Sequence, residues 1–232
     1  MLGVITLVGI VVVVITYNVP NQDVGLETFK ALLQLVVVGV IGGLIASIVK
    51  EIEEERQNYD KQKELERQER EAIREFKKLI LEQIVDAYSQ TKRIRRLLRA
   101  KGLTLTNVPE EENFVRQKVY SEEMERLSII QLNFETIGTK INTSFEVFIE
   151  AENLTALIRK MDTYLSDNLV NEYEESLRTF DAQLKQCSLA QLPKIRDFLT
   201  LDYEHSKFKT DFVKPYKTVL KTLQQEILAM RS

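Results

Sequence analysis

The chain has 232 residues, with 32 basic and 35 acidic side chains and a formal net charge of −3. This slightly acidic balance gives no global electrostatic attraction for nucleic acid. The chain contains 8 glycines, 4 prolines and no tryptophan, which argues against a turn-rich β-sandwich or barrel. Its single cysteine excludes an intrachain disulfide framework and a cysteine-based metal cluster.

Two uncharged apolar segments lie near the N-terminus, at residues 1–17 and 31–49. As α-helices they are about 25 and 28 Å long, close to the ~30 Å hydrocarbon core of a bilayer. Residues 18–30 between them contain Pro20 and Gly25, which suits a short loop. The sequence therefore predicts a transmembrane helical hairpin in the first 49 residues, integral to a lipid bilayer.

Each apolar segment has an alternative interpretation. The first has the length of a signal-peptide core, although a basic N-terminal region and an Ala-x-Ala-like cleavage site are missing. The second has the alternative of a core helix in a soluble protein. Basic residues crowd after Val49, whereas the loop holds only Lys30, so the positive-inside rule places both termini in the cytoplasm. We expect a plasma or inner membrane protein.

Small residues recur every four positions in the second apolar segment, at Gly39, Gly43 and Ser47. This spacing places them on one helix face, where a partner backbone can approach closely within lipid. The sequence leaves open whether that partner is the first segment of the same chain or a second copy in a homo-oligomer.

A long charged stalk helix is predicted over residues 50–102, because neither Gly nor Pro occurs from Leu44 to Lys101. Residues 51–71 are almost entirely charged or polar, so disorder is the alternative there. From Ala72 an apolar stripe returns at three- and four-residue steps and predicts packing into a bundle. A parallel coiled coil with a second copy is compatible with this pattern but not required by it.

The stalk helix ends in a basic stretch, since six of the ten residues 92–101 are Lys or Arg. Cations at this position stabilise the C-terminus of a helix, which is the structural explanation. The functional alternative is a basic stripe that binds phosphate or an acidic partner. Its candidate residues are Lys92, Arg95, Arg96 and Arg99.

Residues 103–232 predict a cytoplasmic α-helical bundle, so the fold class is all-α. Its first helix is expected to start at Asn107 and to run to about Lys140. A further stripe of apolar residues at helical spacing covers residues 145–170. His205 is the only histidine and lies in a polar stretch, which favours a solvated side chain. Cys187, between leucines, favours a small buried apolar role.

These patterns predict a protein that is not an enzyme and needs no cofactor or metal. The first functional hypothesis is a membrane-anchored helical scaffold that presents its cytoplasmic bundle to a protein partner. The second is a membrane-tethered binder of nucleic acid or of a phosphate ligand, acting through residues 92–101. Aromatic residues do not alternate with the basic ones, so the sequence disfavours nucleic acid.

Overall fold

The structure is a computed structural model that describes residues 22–104, 113–179 and 185–230. The described residues are mostly helical, which confirms the all-α class. Contacts between residues divide the chain into two compact units, Met1–Gln68 and Glu69–Ser232.

Helix α1 extends from Gln22 to Leu97. Residues 22–30 were expected in a loop, but they are helical and continuous with the second apolar segment, so this part of the prediction is wrong. No proline occurs between Pro20 and Pro109, and one glycine inside a helix costs only about 1 kcal/mol, so Gly25 does not end the helix. The first apolar segment, residues 1–17, lies outside the described residues.

Among the described helices, α1 is long and apolar enough to cross a membrane. Its apolar side chains in the first unit are exposed, with Leu35 at 73% and Val38 at 70%. Within the first unit this segment is therefore exposed, whereas the core helix of a soluble protein would be mostly buried.

The charged segment that follows, residues 51–71, is helical throughout and has only exposed side chains. Pairs one turn apart line its surface: the Lys50 ammonium lies 3.7 Å from the Glu54 carboxylate, and the Gln68 amide donates to Glu64 at 3.2 Å. Such exposed pairs stabilise a helix by a few tenths of a kcal/mol each. The segment is a solvated helix.

The second unit begins inside α1 and takes part of its core from it. The buried residues include Ile80, Ile84, Ala87, Ile94 and Leu98, each at most 3% exposed. Leu98 starts the π-helical turn Leu98–Gly102 that ends this long helical element. The compact unit therefore starts at Glu69, upstream of the boundary that the sequence predicts at Leu103.

Shorter helices pack around this part of α1. The described ones are α2 (Gln117–Thr143), α3 (Ala151–Thr163), α4 (Asn171–Thr179), α5 (Pro193–Leu199) and α6 (Lys214–Ala229). The π-helical segment Tyr164–Val170 joins α3 to α4, and a second one, Phe208–Val213, leads into α6. Aromatic rings fill the core where these elements meet: Phe212 lies edge-on to Phe134, with ring centroids 5.5 Å apart.

Two helix boundaries differ from the sequence prediction. The start expected at Asn107 falls in residues 105–112, outside the described residues, and α2 begins at Gln117. The stripe over residues 145–170 is interrupted at Phe148, whose backbone is extended. The extended backbone at Phe148 interrupts the helix, and its side chain is buried close to Phe76, at 6.0 Å between ring centroids.

A small antiparallel sheet interrupts the helices and was not predicted. Its strands are β1 (Leu103–Thr104), β2 (Phe114–Arg116) and β3 (Gln186–Ser188), in the order β1-β2-β3. Val115 in the central strand is opposite Leu103 on one side and Cys187 on the other. Strands of two or three residues are too short to show an alternating pattern in the sequence.

A buried ion pair connects α1 with α6. The Lys77 ammonium lies 2.6 Å from Glu226 Oε2, and the two side chains are 3% and 5% exposed. The other carboxylate oxygen, Oε1, accepts a hydrogen bond from the backbone N–H of Glu150 at 3.1 Å, just before α3. Removing one member of such a pair leaves an uncompensated buried charge.

We expect a fragment of residues 69–232 to unfold cooperatively, and a fragment of residues 103–232 to lack a cooperative transition. The shorter fragment loses the five core side chains that α1 and its final turn contribute, and each of the four large ones, three isoleucines and a leucine, contributes about 1.5–3 kcal/mol. Their sum is comparable with the whole stability of a domain. Urea unfolding followed by circular dichroism tests this, and equal midpoints for the two fragments would contradict it.

Candidate functional site

The four basic residues predicted at the end of the stalk helix have different surroundings. Arg95 is half-buried, and its guanidinium clamps the chain after α5: Nε donates to the carbonyl of Phe198 at 2.5 Å and Nη2 to that of Thr200 at 2.8 Å. The same group lies 5.6 and 5.3 Å from the ring centroids of Tyr203 and Phe208. Burial, followed by the charge of Arg99, lowers the pKa of Arg95. Arg95 therefore has a structural role.

Lys92 also has a contact within the second unit. Its ammonium lies 5.5 Å from the ring centroid of Tyr88, which stacks on Tyr216 of α6 at 3.6 Å between centroids. A cation over an aromatic face gains about 0.5–1 kcal/mol at an exposed site. Lys92 therefore covers the aromatic contact between α1 and α6.

Arg96 and Arg99 instead line a cavity of about 440 Å³, together with Arg196 of α5. We call this the arginine cavity. Apolar side chains form much of its wall, and Leu201, which is 64% exposed, lies among them. The remaining lining residues are Ala100, Leu103, Asn113, Leu189, Leu199 and Thr200. A mainly apolar wall with a few charged groups is typical of ligand and peptide sites.

Among the lining residues that the structure describes, the charged side chains of the arginine cavity are all positive. Its described lining residues include no Asp or Glu, and neither Arg96 nor Arg99 forms an ion pair with any residue that the structure describes. Guanidinium groups present several donors in a fixed plane, which matches the two oxygens of a carboxylate or phosphate. The cavity can therefore accept an anionic group next to an apolar one.

The sequence did not point to Arg196, which is 97 residues from Arg99 in the chain. Glu172 of α4 holds the start of the helix that carries Arg196, because its two carboxylate oxygens accept hydrogen bonds from the backbone N–H groups of Lys194 and Ile195, at 2.9 and 2.7 Å. These bonds satisfy the first turn of α5. Burial raises the pKa of Glu172 despite these bonds. No local sequence signal predicts so distant a contact.

The small residues of the apolar segment belong to the first unit. Gly39 and Ser47 are exposed, and Gly43 is partly exposed. A Cβ added at Gly39 or Gly42 would meet no described atom within 4 Å. A partner for this face stays a prediction from the sequence.

The remaining reactive side chains occupy different places. His205 is 85% exposed, and its Nδ1 lies 2.9 Å from Asp202 Oδ1. Cys187 is buried in β3, and this burial raises the pKa of its thiol. In the described part of the chain, no group of three or more His, Cys, Asp or Glu is arranged to hold a metal ion.

Comparison of the chain with protein-family models, with curated proteins and with solved structures finds no match. Function therefore has to be argued from the chemistry of the site itself.

The two neighbouring arginines should differ in their effect on stability. We expect Arg95→Gln to lower the free energy of unfolding by about 2 kcal/mol, since two carbonyl groups lose a charged donor. Arg96→Gln, the matched control, should change it by less than about 0.5 kcal/mol, because Arg96 is exposed. Urea midpoints of the two variants measure this difference. Equal losses would show that the Arg95 clamp does not stabilise the fold.

Proposed function

We propose that this protein is a membrane-anchored helical scaffold that holds an acidic segment of a protein partner in the arginine cavity. The proposal assigns it a binding role without catalysis. The observation that carries it is the convergence of Arg96, Arg99 and Arg196 on a mainly apolar cavity with no acidic lining residue among those described.

The anchor in this proposal is the apolar segment 31–49, supported by the exposure of its side chains in α1. The sequence adds residues 1–17 as a first span. Because α1 is helical from Gln22, a hairpin requires the chain to reverse within residues 18–21, where Pro20 is a turn former. The basic residues after Val49 favour a cytoplasmic position for both termini.

An acidic protein segment matches both the arginines and the apolar wall of the cavity. Carboxylates can pair with the guanidinium groups of Arg96 and Arg99, while an apolar side chain of the same segment contacts the leucines, including exposed Leu201. Arginine is also enriched among the residues that dominate protein–protein binding energies. In this proposal Arg95 and Lys92 have structural roles beside the cavity and do not contact the partner.

A phosphate-bearing ligand is the second candidate, because guanidinium groups pair with phosphate as well as with carboxylate. Nucleic acid is the less favoured form of it. A polynucleotide would also meet the acidic remainder of a chain with net charge −3, and the leucines of the cavity give a phosphate backbone no partner.

Photo-crosslinking in the native membrane tests the proposal with the full chain. We expect a photoreactive residue at Leu201 to form adducts with a protein, and the same residue at Leu177 to form none. The two positions are matched in exposure, at 64% and 56%, but only Leu201 lines the cavity. The double change Arg96→Gln and Arg99→Gln should abolish the adducts because it removes two charged donors.

Arg178→Gln with Lys217→Gln is the matched control, since it removes two exposed charges that do not line the cavity. This control should leave the adducts unchanged, and high salt should weaken them. Adducts that are sensitive to nuclease would favour the phosphate alternative. Equal adducts at Leu201 and Leu177, or adducts that survive the loss of both arginines, would refute the role of the cavity.

Topology gives a separate prediction. Protease added to intact cells should leave the unit Glu69–Ser232 undigested, because the positive-inside rule keeps it in the cytoplasm. Permeabilised cells are the control, in which digestion should occur. A glycan on Asn142 or Asn153, both in N-x-[ST] sequons, would contradict this orientation.

A further inference from the structure

The arginine cavity is bordered by both ends of one connection of the small sheet. Leu103 of β1 and Asn113, just before β2, line the cavity. Residues 105–112 join these two positions and lie outside the described residues. Their sequence, LTNVPEEE, contains three glutamates and no basic residue. An acidic stretch of the chain is therefore attached to the wall of a cavity whose charged lining residues, among those described, are arginines.

Both attachment points are held in the fold. Thr104 is paired with Phe114 in the antiparallel ladder. Asn113 is 5% exposed, and its carbonyl accepts a hydrogen bond at 2.9 Å from the backbone N–H of Leu189, which also lines the cavity. The start and the end of the connection therefore stay at the cavity, whatever path the residues between them take.

The covalent geometry of the chain limits how far the glutamates can be from the cavity. The Cα atoms of Glu112, Glu111 and Glu110 can lie at most about 4, 7 and 11 Å from the Cα atom of Asn113. Groups held on so short a tether have an effective concentration at the attachment site in the millimolar range or above. The three carboxylates are thus confined near the arginines without any long-range attraction.

The charges on the two sides are complementary. Neither Arg96 nor Arg99 forms an ion pair with a residue that the structure describes. A carboxylate matches the planar donors of a guanidinium group and can accept two hydrogen bonds from it. A helix-start role for the glutamates is not supported, because α2 begins only at Gln117 and has no acidic residue in its first turn.

We propose that residues 110–112 are an intramolecular ligand of the arginine cavity, whose carboxylates pair with Arg96 and Arg99 and compete with the acidic segment of the partner. The competition rests on the function proposed for the cavity, whereas the intramolecular contact does not. Exposed carboxylate–guanidinium pairs are weak, so a partner that also contacts the apolar wall can displace these residues.

Coupling with a water-soluble carbodiimide tests the contact in the full chain in detergent micelles. This reagent joins an ammonium to a carboxylate only where the two groups meet. We expect Arg96→Lys to yield an amide bond between position 96 and one of residues 110–112, identified by mass spectrometry after digestion. Arg93→Lys is the matched control, because Arg93 is also exposed on α1 but does not line the cavity.

The control should give at least about tenfold less of this product. Absence of the product from Arg96→Lys, or equal amounts from the two variants, would overturn the contact. Both variants keep the charge of an exposed side chain, so both should fold.

Photo-crosslinking at Leu201 in the native membrane tests the competition. We expect replacement of all three glutamates at 110–112 by Gln to raise the protein adducts about three- to tenfold, the factor that two exposed ion pairs provide. The matched control changes Glu122, Glu125 and Glu174 to Gln, which removes three exposed acidic side chains that do not line the cavity. It should leave the adducts unchanged. An equal rise in both variants, or a rise in neither, would overturn the competition.

The two experiments separate this inference from the proposed function. If wild type and the Gln variant at 110–112 both form no protein adducts, the partner is refuted and the competition with it, while the coupling product still measures the intramolecular contact. If adducts depend on Arg96 and Arg99 but no coupling product forms, the contact is refuted and the partner is retained.

Discussion

The buried ion pair between Lys77 and Glu226 determines how α1 enters the second unit. Both side chains are almost inaccessible, so each charge relies on the other for compensation. The pair joins α1 to the last helix, and the second oxygen of Glu226 binds the chain before α3. Eighteen residues further along, about 27 Å of helix, Arg95 holds α1 to the chain after α5. The two polar contacts lie on the same side of α1 as the buried apolar stripe between them, so all three favour one rotation of the helix.

The contacts of Arg95 also distinguish the basic side chains that stabilise the fold from those that are accessible to a ligand. Arg95 and Arg96 are adjacent, so on a helix they point about 100° apart. Arg99, one turn after Arg95, lies about 40° from it. Arg95 is held against the carbonyl groups of Phe198 and Thr200, whereas Arg96 and Arg99 line the cavity beside Leu199 and Arg196. Stabilisation of the helix end and binding of an anion can therefore both apply to the basic stretch, because they involve different residues.

The sequence predicts the parts of this fold that depend on local periodicity. The long helix, the all-α class and the buried stripes of α1 and α6 follow from residues three and four apart. The sheet did not follow, because its strands are too short and their partners are distant in sequence. Of the residues that line the arginine cavity, the sequence singled out Arg96 and Arg99 as candidates but not Arg196, which belongs to a helix whose first turn is bound by the distant Glu172.

The charge distribution restricts what a partner of the arginine cavity can be. The chain as a whole is slightly acidic, so its field at long range does not attract an anion. At physiological salt, interactions between exposed charges fade beyond about 8 Å, and the arginines act only on groups that have already reached the cavity. A short acidic segment can do so without bringing many charges near the rest of the surface. If its protein is held in the membrane in which we propose that this chain is anchored, the encounter becomes nearly intramolecular, and a high effective concentration compensates for the missing long-range attraction. The proposed membrane anchor and the small cavity lined by arginines are therefore consistent parts of one proposed mechanism.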